Sequence, residues 1–185
     1  MWKLIAFVIA TSLLVYISRA SLCQASSHGF YRFFAWESIV LLFLLNADKW
    51  FFDPFSWHQL IAWALLFASF VPLIFGVRSL RKHGKQTEER LGDPSLYAFE
   101  KTTALVTTGI YAYIRHPLYS SLFLLTWGIF FKALRLPSTA LALVATTFLI
   151  ATARADEAEC IRFFGDDYKR YMGKTKRFIP FLFLL

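Results

Sequence analysis

Long apolar runs separated by short polar stretches are the main pattern of this chain. About 20 mostly apolar residues cross a bilayer as a helix, and runs near that length recur along the sequence. The predicted spans are residues 2–17, 33–46, 57–77, 118–134 and 138–153. This pattern predicts an all-α fold, a polytopic membrane bundle of about five transmembrane helices.

The connections between the runs add two further elements. Only the short stretch Arg135-Leu-Pro-Ser138, whose last residue begins the fifth span, connects the last two predicted spans, so these spans should form an antiparallel helical hairpin. Beyond them, apolar side chains recur at three- and four-residue steps between residues 156 and 171, which is typical of an amphipathic helix. We expect this helix to lie at the cytoplasmic face. The apolar tail, residues 178–185, is too short to span and should lie back against the bundle.

Composition agrees with a membrane protein. The 185 residues are 57% hydrophobic, whereas soluble domains are nearer 45–50% apolar. The formal net charge of +8 comes from basic residues beside apolar runs, which indicates topology signals and contacts with anionic membrane lipids rather than nucleic-acid binding. Cys23 and Cys160 are too few and too far apart to indicate a disulfide framework, and no spacing typical of a metal site occurs.

The distribution of charge predicts the topology. The most polar stretch, residues 78–101, is rich in basic residues, so it should be cytoplasmic, together with the first loop and the tail. The amino terminus would then lie outside, although Lys132 and Arg135 count weakly against this. Residues 2–17 could alternatively be a signal peptide, but they precede a set of membrane spans, so we expect a retained helix in one domain covering residues 1–185.

Two polar clusters are the candidate sites for chemistry. Arg115 and His116 precede Pro117, and a residue before proline is disfavoured in the helical region while proline itself is tolerated in a first helical turn. Pro117 should therefore begin the fourth span. The second cluster, residues 154–160, ends the fifth span, so an antiparallel hairpin would bring both clusters to one cytoplasmic membrane face.

Both clusters, in this order and spacing, resemble a known family. The matching parts include Arg115-His-Pro-Leu-Tyr119, the acidic pair Asp156–Glu157 and Tyr171, with further matches at residues 105–111, 164–168 and 177–180. Over about residues 101–185 the chain resembles the isoprenylcysteine carboxyl methyltransferase and phospholipid methyltransferase family of integral-membrane enzymes. The resemblance implies transfer of a methyl group from S-adenosylmethionine to a lipophilic acceptor. It makes residues 101–185 the cofactor-binding catalytic core, and residues 1–100 the amino-terminal spans and basic loop.

The resemblance also implies a set of cofactor contacts. They are Thr103, Ala104, Leu105, Val106, Tyr111, His116, Pro117, Leu118, Tyr119, Asp156 and Glu157. Their chemistry fits the cofactor, because the acids suit its sulfonium and ammonium groups and the basic side chains suit its carboxylate. Aromatic faces also attract cations. No glycine-rich nucleotide fingerprint follows a strand pattern, which argues against a Rossmann-type methyltransferase.

The sequence does not decide which chemical group accepts the methyl group. A carboxylate acceptor needs no base but only a cation to orient it, and Arg115 or Arg154 is available. An amine acceptor must lose a proton, and His116 or Glu157 would then be the candidate general base. The catalytic candidates are therefore Arg115, Arg154 and Glu157, with the cofactor entering from the cytoplasm and the acceptor from the bilayer.

Two other functions compete with this interpretation. The carboxyl-terminal segment also resembles NADPH-dependent reductases of the sterol reductase type, including the acidic pair, a cysteine like Cys160 and a late Ile-Pro. A non-enzymatic membrane bundle is the third possibility. The sequence leaves the oligomeric state open.

Overall fold

The computed structural model describes residues 1–84 and 102–178, and these ranges are helical without β-strands. Two short 3-10 helices, Ala47–Lys49 and Gly109–Ala112, lie between the α-helices. The α-helices are α1 Trp2–Leu22, α2 His28–Asn46, α3 Trp57–His83, α4 Pro117–Phe130, α5 Leu136–Phe164 and α6 Asp166–Lys174.

Helices α1, α2, α3 and α5 are long and apolar enough to cross a membrane, and α4 is a shorter apolar helix of 14 residues. The predicted all-α polytopic membrane bundle is confirmed, and the protein is an integral membrane protein. Helix α1 contributes little to the interior, since only 6% of its most apolar stretch of residues is buried. An apolar helix that is so exposed within its own chain is suited to contact lipid.

Several predicted boundaries are wrong. Helix α4 ends at Phe130 rather than at residue 134, and α5 continues to Phe164 instead of ending near residue 153. The helix does not end there because Ala155 and Ala158 are strong helix formers and because the acidic residues between them find partners elsewhere in the chain. Asp156 and Glu157 thus belong to α5 and not to a separate amphipathic helix.

Gly165 marks the real break after α5. Its φ of 61° is unfavourable for side-chain-bearing residues, and α6 begins directly after it. Tyr168 and Tyr171 are buried on one side of α6, while the cytoplasmic location of this helix remains a prediction. The predictions for the basic loop beyond residue 84 and for the tail after residue 178 lie outside the described residues.

The bundle is built from two close helix pairs, α2 with α5 and α3 with α4, with α1 against α2. Small residues allow this approach, as is common between membrane helices. A Cβ atom on Gly128 would lie 2.9 Å from the Cγ atom of Leu66. The buried core comprises Ile39, Leu42, Leu66, Ile129, Ala142 and Ala145.

A polar network ties the helices together at one end of the bundle, where α2 and α4 end and α3 and α5 begin. Asn46 donates to the carbonyl of Ile129 over 2.9 Å and accepts from Ser138 over 2.8 Å. Lys132 is 1% exposed, donates to Gln59 over 2.9 Å, and lies 3.5 Å from the ring centroid of Trp63. The two predicted polar clusters lie at the opposite end of the bundle, where α3 and α5 end and α4 begins.

Candidate active site

The segment that leads into α4 is held by close backbone contacts. Gly109 has a φ of 64°, and a Cβ atom there would lie 2.7 Å from the Ser79 hydroxyl oxygen of α3. His116 is the residue before the helix, with a φ of −123° and a ψ of 62°, and Pro117 occupies the first turn. The predicted role of Pro117 as the start of this helix is confirmed.

The carboxyl-terminal segment, residues 175–178, pairs with this stretch of chain. The backbone N–H groups of Arg115 and His116 donate to the carbonyls of Lys176 and Arg177 over 2.7 and 3.1 Å, and the N–H of Lys176 donates to the carbonyl of Tyr113 over 3.1 Å. These bonds satisfy backbone groups that would otherwise lack partners beside the first turn of α4.

Glu157 of α5 joins three cationic side chains. It is 4% exposed and accepts from Nε of Arg115 over 2.9 Å. Arg177 donates to it from Nε over 3.1 Å and from Nη2 over 2.7 Å. The third cation is His116, whose Nε2 lies 3.3 Å from Oε1 of Glu157. A buried carboxylate needs such compensation, so Glu157 connects α4, α5 and the carboxyl-terminal segment.

His116 lies between both acids of the predicted pair. Its Nδ1 atom is 3.4 Å from Oδ2 of Asp156, while Nε2 faces Glu157. Burial by itself lowers the pKa of His116, but the hydrogen bonds to Asp156 and Glu157 outweigh burial and raise the pKa above its ordinary value of 6.5. The imidazole therefore favours the protonated form, in which both ring nitrogens donate.

Arg115 has a second set of partners. Its Nη1 atom donates to the carbonyl of Met172 over 3.1 Å and also to the carbonyl of Thr175. These carbonyls lie at the end of α6, where a cation is favourable. Arg115 thus fastens α6 to Glu157 and so to α5.

A cavity lies beside this ion-pair cluster, between the ends of α3 and α5, the start of α4, and α6. Its walls are mainly aromatic and aliphatic, and Asp156 is the acidic side chain among the described lining residues. They are Leu80, Thr102, Leu105, Val106, Tyr111, Arg115, His116, Pro117, Leu118, Tyr119, Asp156, Cys160, Phe164, Tyr168 and Tyr171.

Most residues predicted to bind a cofactor surround this cavity, although their binding roles remain predictions. Thr103 and Ala104 are half-buried and lie outside its lining. Glu157 also lies outside the lining, because it is buried among the three cations. The predicted contacts that do line the cavity are Leu105, Val106, Tyr111, His116, Pro117, Leu118, Tyr119 and Asp156.

The structure places the two arginines among the catalytic candidates at different sites. Arg115 lines the cavity, but Arg154 is exposed and lines a separate groove. The reason is helical geometry, because two positions along an α-helix are about 200° apart around its axis. Arg154 therefore lies on nearly the opposite side of α5 from Asp156.

Three residues outside the set of predicted cofactor contacts also line the cavity. Tyr168, Tyr171 and Cys160 line the cavity, and the Tyr171 hydroxyl donates to the carbonyl of Tyr111 over 2.7 Å. The placement of Tyr168 and Tyr171 follows from the helix break at Gly165, and a glycine that interrupts an amphipathic pattern is the sequence signal for such a break. Cys160 lies on α5 itself.

His28 is a second histidine that pairs with an acid of α5. It is fully buried at the start of α2, with Nδ1 2.6 Å from Oε2 of Glu159. Its backbone N–H also donates to Oε1 of the same residue over 2.9 Å. Because Glu159 serves as a charged cap for α2, it ties α2 to α5.

Comparison with known proteins adds the family context. Residues 58–167, more than half of the chain, match the model of a family described as phospholipid methyltransferase. Over 83 residues the chain is 39% identical to protein-S-isoprenylcysteine O-methyltransferase of Schizosaccharomyces pombe. This segment covers 44% of the present chain and 35% of the yeast protein. No solved structure matches the chain.

Proposed function

We propose, because the chain belongs to the phospholipid methyltransferase family, that it is an integral-membrane enzyme that transfers a methyl group from S-adenosylmethionine to a lipophilic acceptor. The observation that supports this most directly is the cavity in which Asp156 faces the amino-terminal turn of α4. One cavity then offers an acidic group and a helix amino terminus, which together suit a zwitterionic amino-acid moiety.

The residues fit the proposed cofactor. The Asp156 carboxylate would hold its ammonium group, and the N–H groups of Leu118 and Tyr119, which lie in the first helical turn, would hold its carboxylate. Aromatic rings, among them Phe164 and Tyr168, provide surfaces for the adenine and the sulfonium. When bound, S-adenosylmethionine would supply a methyl group from its sulfonium sulfur to a nucleophile in one displacement, and the neutral thioether S-adenosylhomocysteine would leave.

Protonation of the cavity residues favours an acceptor that arrives as an anion. The raised pKa of His116 keeps its imidazole protonated between two carboxylates. Burial raises the pKa of Tyr168 and of Tyr171, which keeps both phenols neutral. None of these three groups is suited to remove a proton from an ammonium acceptor. A carboxylate acceptor on a lipophilic chain needs no such step, and Arg115 and His116 supply positive charge beside it.

The matched relative supports the same kind of acceptor. Its name describes O-methylation of an isoprenylcysteine, which is a carboxylate on a lipophilic group. The matched segment is about a third of that protein's length, so the acceptor of the present chain is part of the proposal. Neither comparison points to a reductase.

We further propose that the cavity lies at the cytoplasmic face. Arg19 lies in the last turn of α1 and Arg81, Lys82 and His83 in the last turn of α3, at the end of the bundle that carries the cavity. A concentration of basic residues favours the cytoplasmic side. Cys23 is exposed at this end, so in a C160S variant a membrane-impermeant maleimide should label it only after cells are opened. Labelling of intact cells would contradict this orientation.

Binding to the purified protein tests the cofactor. Titration calorimetry in detergent should detect S-adenosylmethionine, with NADPH as the competing ligand. Replacing Asp156→Asn should lower the affinity about tenfold or more, because a charge-assisted contact is lost. The control is Asp167→Asn, which changes an exposed acid on α6. Tight NADPH binding without S-adenosylmethionine binding, or equal affinity in both variants, would overturn the assignment.

A second experiment tests the transfer itself. Purified protein is incubated with isotopically labelled methyl donor and either a prenylated cysteine with a free carboxylate or a lipid amine. Mass spectrometry should detect label in the carboxylate acceptor alone. Label in the amine would contradict the anionic-acceptor proposal while preserving methyl transfer, and label in neither would contradict both for these acceptor classes.

A further inference from the structure

A second groove lies outside the proposed catalytic site, along the contact between α2 and α5. Ser26 and Tyr31 line it from the α2 side, and Thr147, Ala151 and Arg154 from the α5 side. The guanidinium of Arg154 is exposed, and within residues 1–84 and 102–178 no hydrogen bond or ion pair engages it. An arginine here offers five N–H donors beside two hydroxyl groups.

The groove has a polar end and an apolar end. Arg154 lies two positions before Asp156, at the level of the ion-pair cluster and hence where the bundle meets the membrane surface. Thr147 is two helical turns away, about 10 Å along the axis, toward the middle of the helix. Its hydroxyl already donates to the carbonyl of Leu143 over 2.9 Å, so that end presents mainly hydrocarbon.

Small side chains create the channel between these ends. Ala151 and Ala155 have side chains of one carbon, which leaves space beside α5, and Ile150 provides an apolar edge. Tyr31 lines the groove from α2. A cation and hydroxyls at headgroup depth, followed by an apolar channel toward the bilayer centre, match the layout of a phospholipid.

We propose that this groove binds one anionic phospholipid, with its phosphate on Arg154 and the hydroxyls of Ser26 and Tyr31, and with an acyl chain along Ala151 toward Thr147. Arginine suits this role because its planar fork binds phosphate oxygens in pairs. The lipid would bridge α2 and α5. The inference concerns a surface that the proposed methyl transfer does not use, so either can fail without the other.

Native mass spectrometry of the delipidated protein tests the site. Phosphatidylglycerol and phosphatidylcholine with identical chains are added separately to the wild type, Arg154→Gln and Arg162→Gln. Arg162 is a matched control, because it is an exposed arginine on α5 outside the groove. The first phosphatidylglycerol should bind more tightly than phosphatidylcholine, and Arg154→Gln should weaken it about five- to tenfold, whereas Arg162→Gln should not.

A second variant tests the channel without changing charge. Replacing Ala151→Leu should fill the space beside α5 and weaken phosphatidylglycerol binding while the melting temperature of the lipid-free protein is retained. Equal binding by the wild type and Arg154→Gln, or equal affinity for the two lipids, would overturn the proposal. Complete displacement by an equal concentration of glycerol phosphate would also overturn it, because the acyl chain would then contribute nothing.

Discussion

Arg177 donates from Nε and Nη2 to the carboxylate oxygens of Glu157, over 3.1 and 2.7 Å. This pairing fastens the carboxyl-terminal segment to α5, and the hydrogen bond to Glu157 raises the pKa of Arg177. Glu157 also accepts from Arg115, which in turn holds the end of α6. One carboxylate therefore stabilises three segments that are far apart in the sequence.

Replacing Glu157→Gln should destabilise the fold. The buried cations would lose their shared partner, and breaking a buried ion pair from one side costs about 3–5 kcal/mol. A clear fall in melting temperature, measured in detergent without ligand, is the expected result. Asp167→Asn is the control, because its ion pair with Arg170 is exposed. If Glu157→Gln had the same melting temperature as the control, the proposed structural role of Glu157 would be contradicted.

Replacing Tyr171→Phe should loosen the cavity wall. The variant keeps the ring but loses the 2.7 Å hydrogen bond to the carbonyl of Tyr111, so we expect a loss of about 1 kcal/mol or somewhat more. Tyr113→Phe removes a hydroxyl from a residue that is 62% exposed and should have little effect. Thermal unfolding measures both variants, and identical curves would mean that this bond does not stabilise the fold.

Stability should depend on pH through His116. Its pKa is raised in the folded state, so its stabilising contribution is fully present below the ordinary pKa of 6.5 and is lost as the pH rises through the folded-state value. The wild type should therefore lose melting temperature relative to His116→Gln as the pH increases through that range. His83→Gln, at an exposed site, should follow the wild type. A constant difference between wild type and His116→Gln would contradict this.

Gly128→Ala tests the close contact of α3 and α4. The added Cβ would lie 2.9 Å from Cγ and 3.1 Å from the backbone nitrogen of Leu66, so the helices must separate, at a cost of about 1–3 kcal/mol. Gly173→Ala on α6 meets no atom within 4 Å and should instead stabilise by up to about 1 kcal/mol. If chemical or thermal unfolding showed that both substitutions change the stability in the same direction, the close packing of Gly128 against Leu66 would be contradicted.

Hydropathy predicted the membrane helices because the length of an apolar run is set by the bilayer itself. The start of α4 was predictable for a local reason, the restriction that Pro117 imposes on His116. The extent of α5 was not predictable from the sequence, since acidic residues usually indicate exposure to solvent. Here Asp156 and Glu157 are compensated by His116 and Arg177, whose positions in the chain carry no local signal of this pairing.

Two other residues, Lys132 and Arg154, also lie in surroundings that differ from those the sequence suggested. In the sequence Lys132 is a charge that bears only on topology, yet Gln59 and Trp63 of α3 bury and stabilise it. The sequence placed Arg154 with the acids because the three are close in the chain. Because α5 continues through both positions, Arg154 and Asp156 lie about 200° apart around its axis, on nearly opposite sides of the helix.

The pairing of residues 113–116 with residues 175–178 sets an order of events during synthesis. A ribosome produces the chain from its amino end, so α1, α2 and α3 can enter the membrane before Arg177 exists. Until then Glu157 lacks one of its cations and the backbone of Arg115 lacks a partner. The candidate active site is therefore completed late, after the first membrane helices have been made.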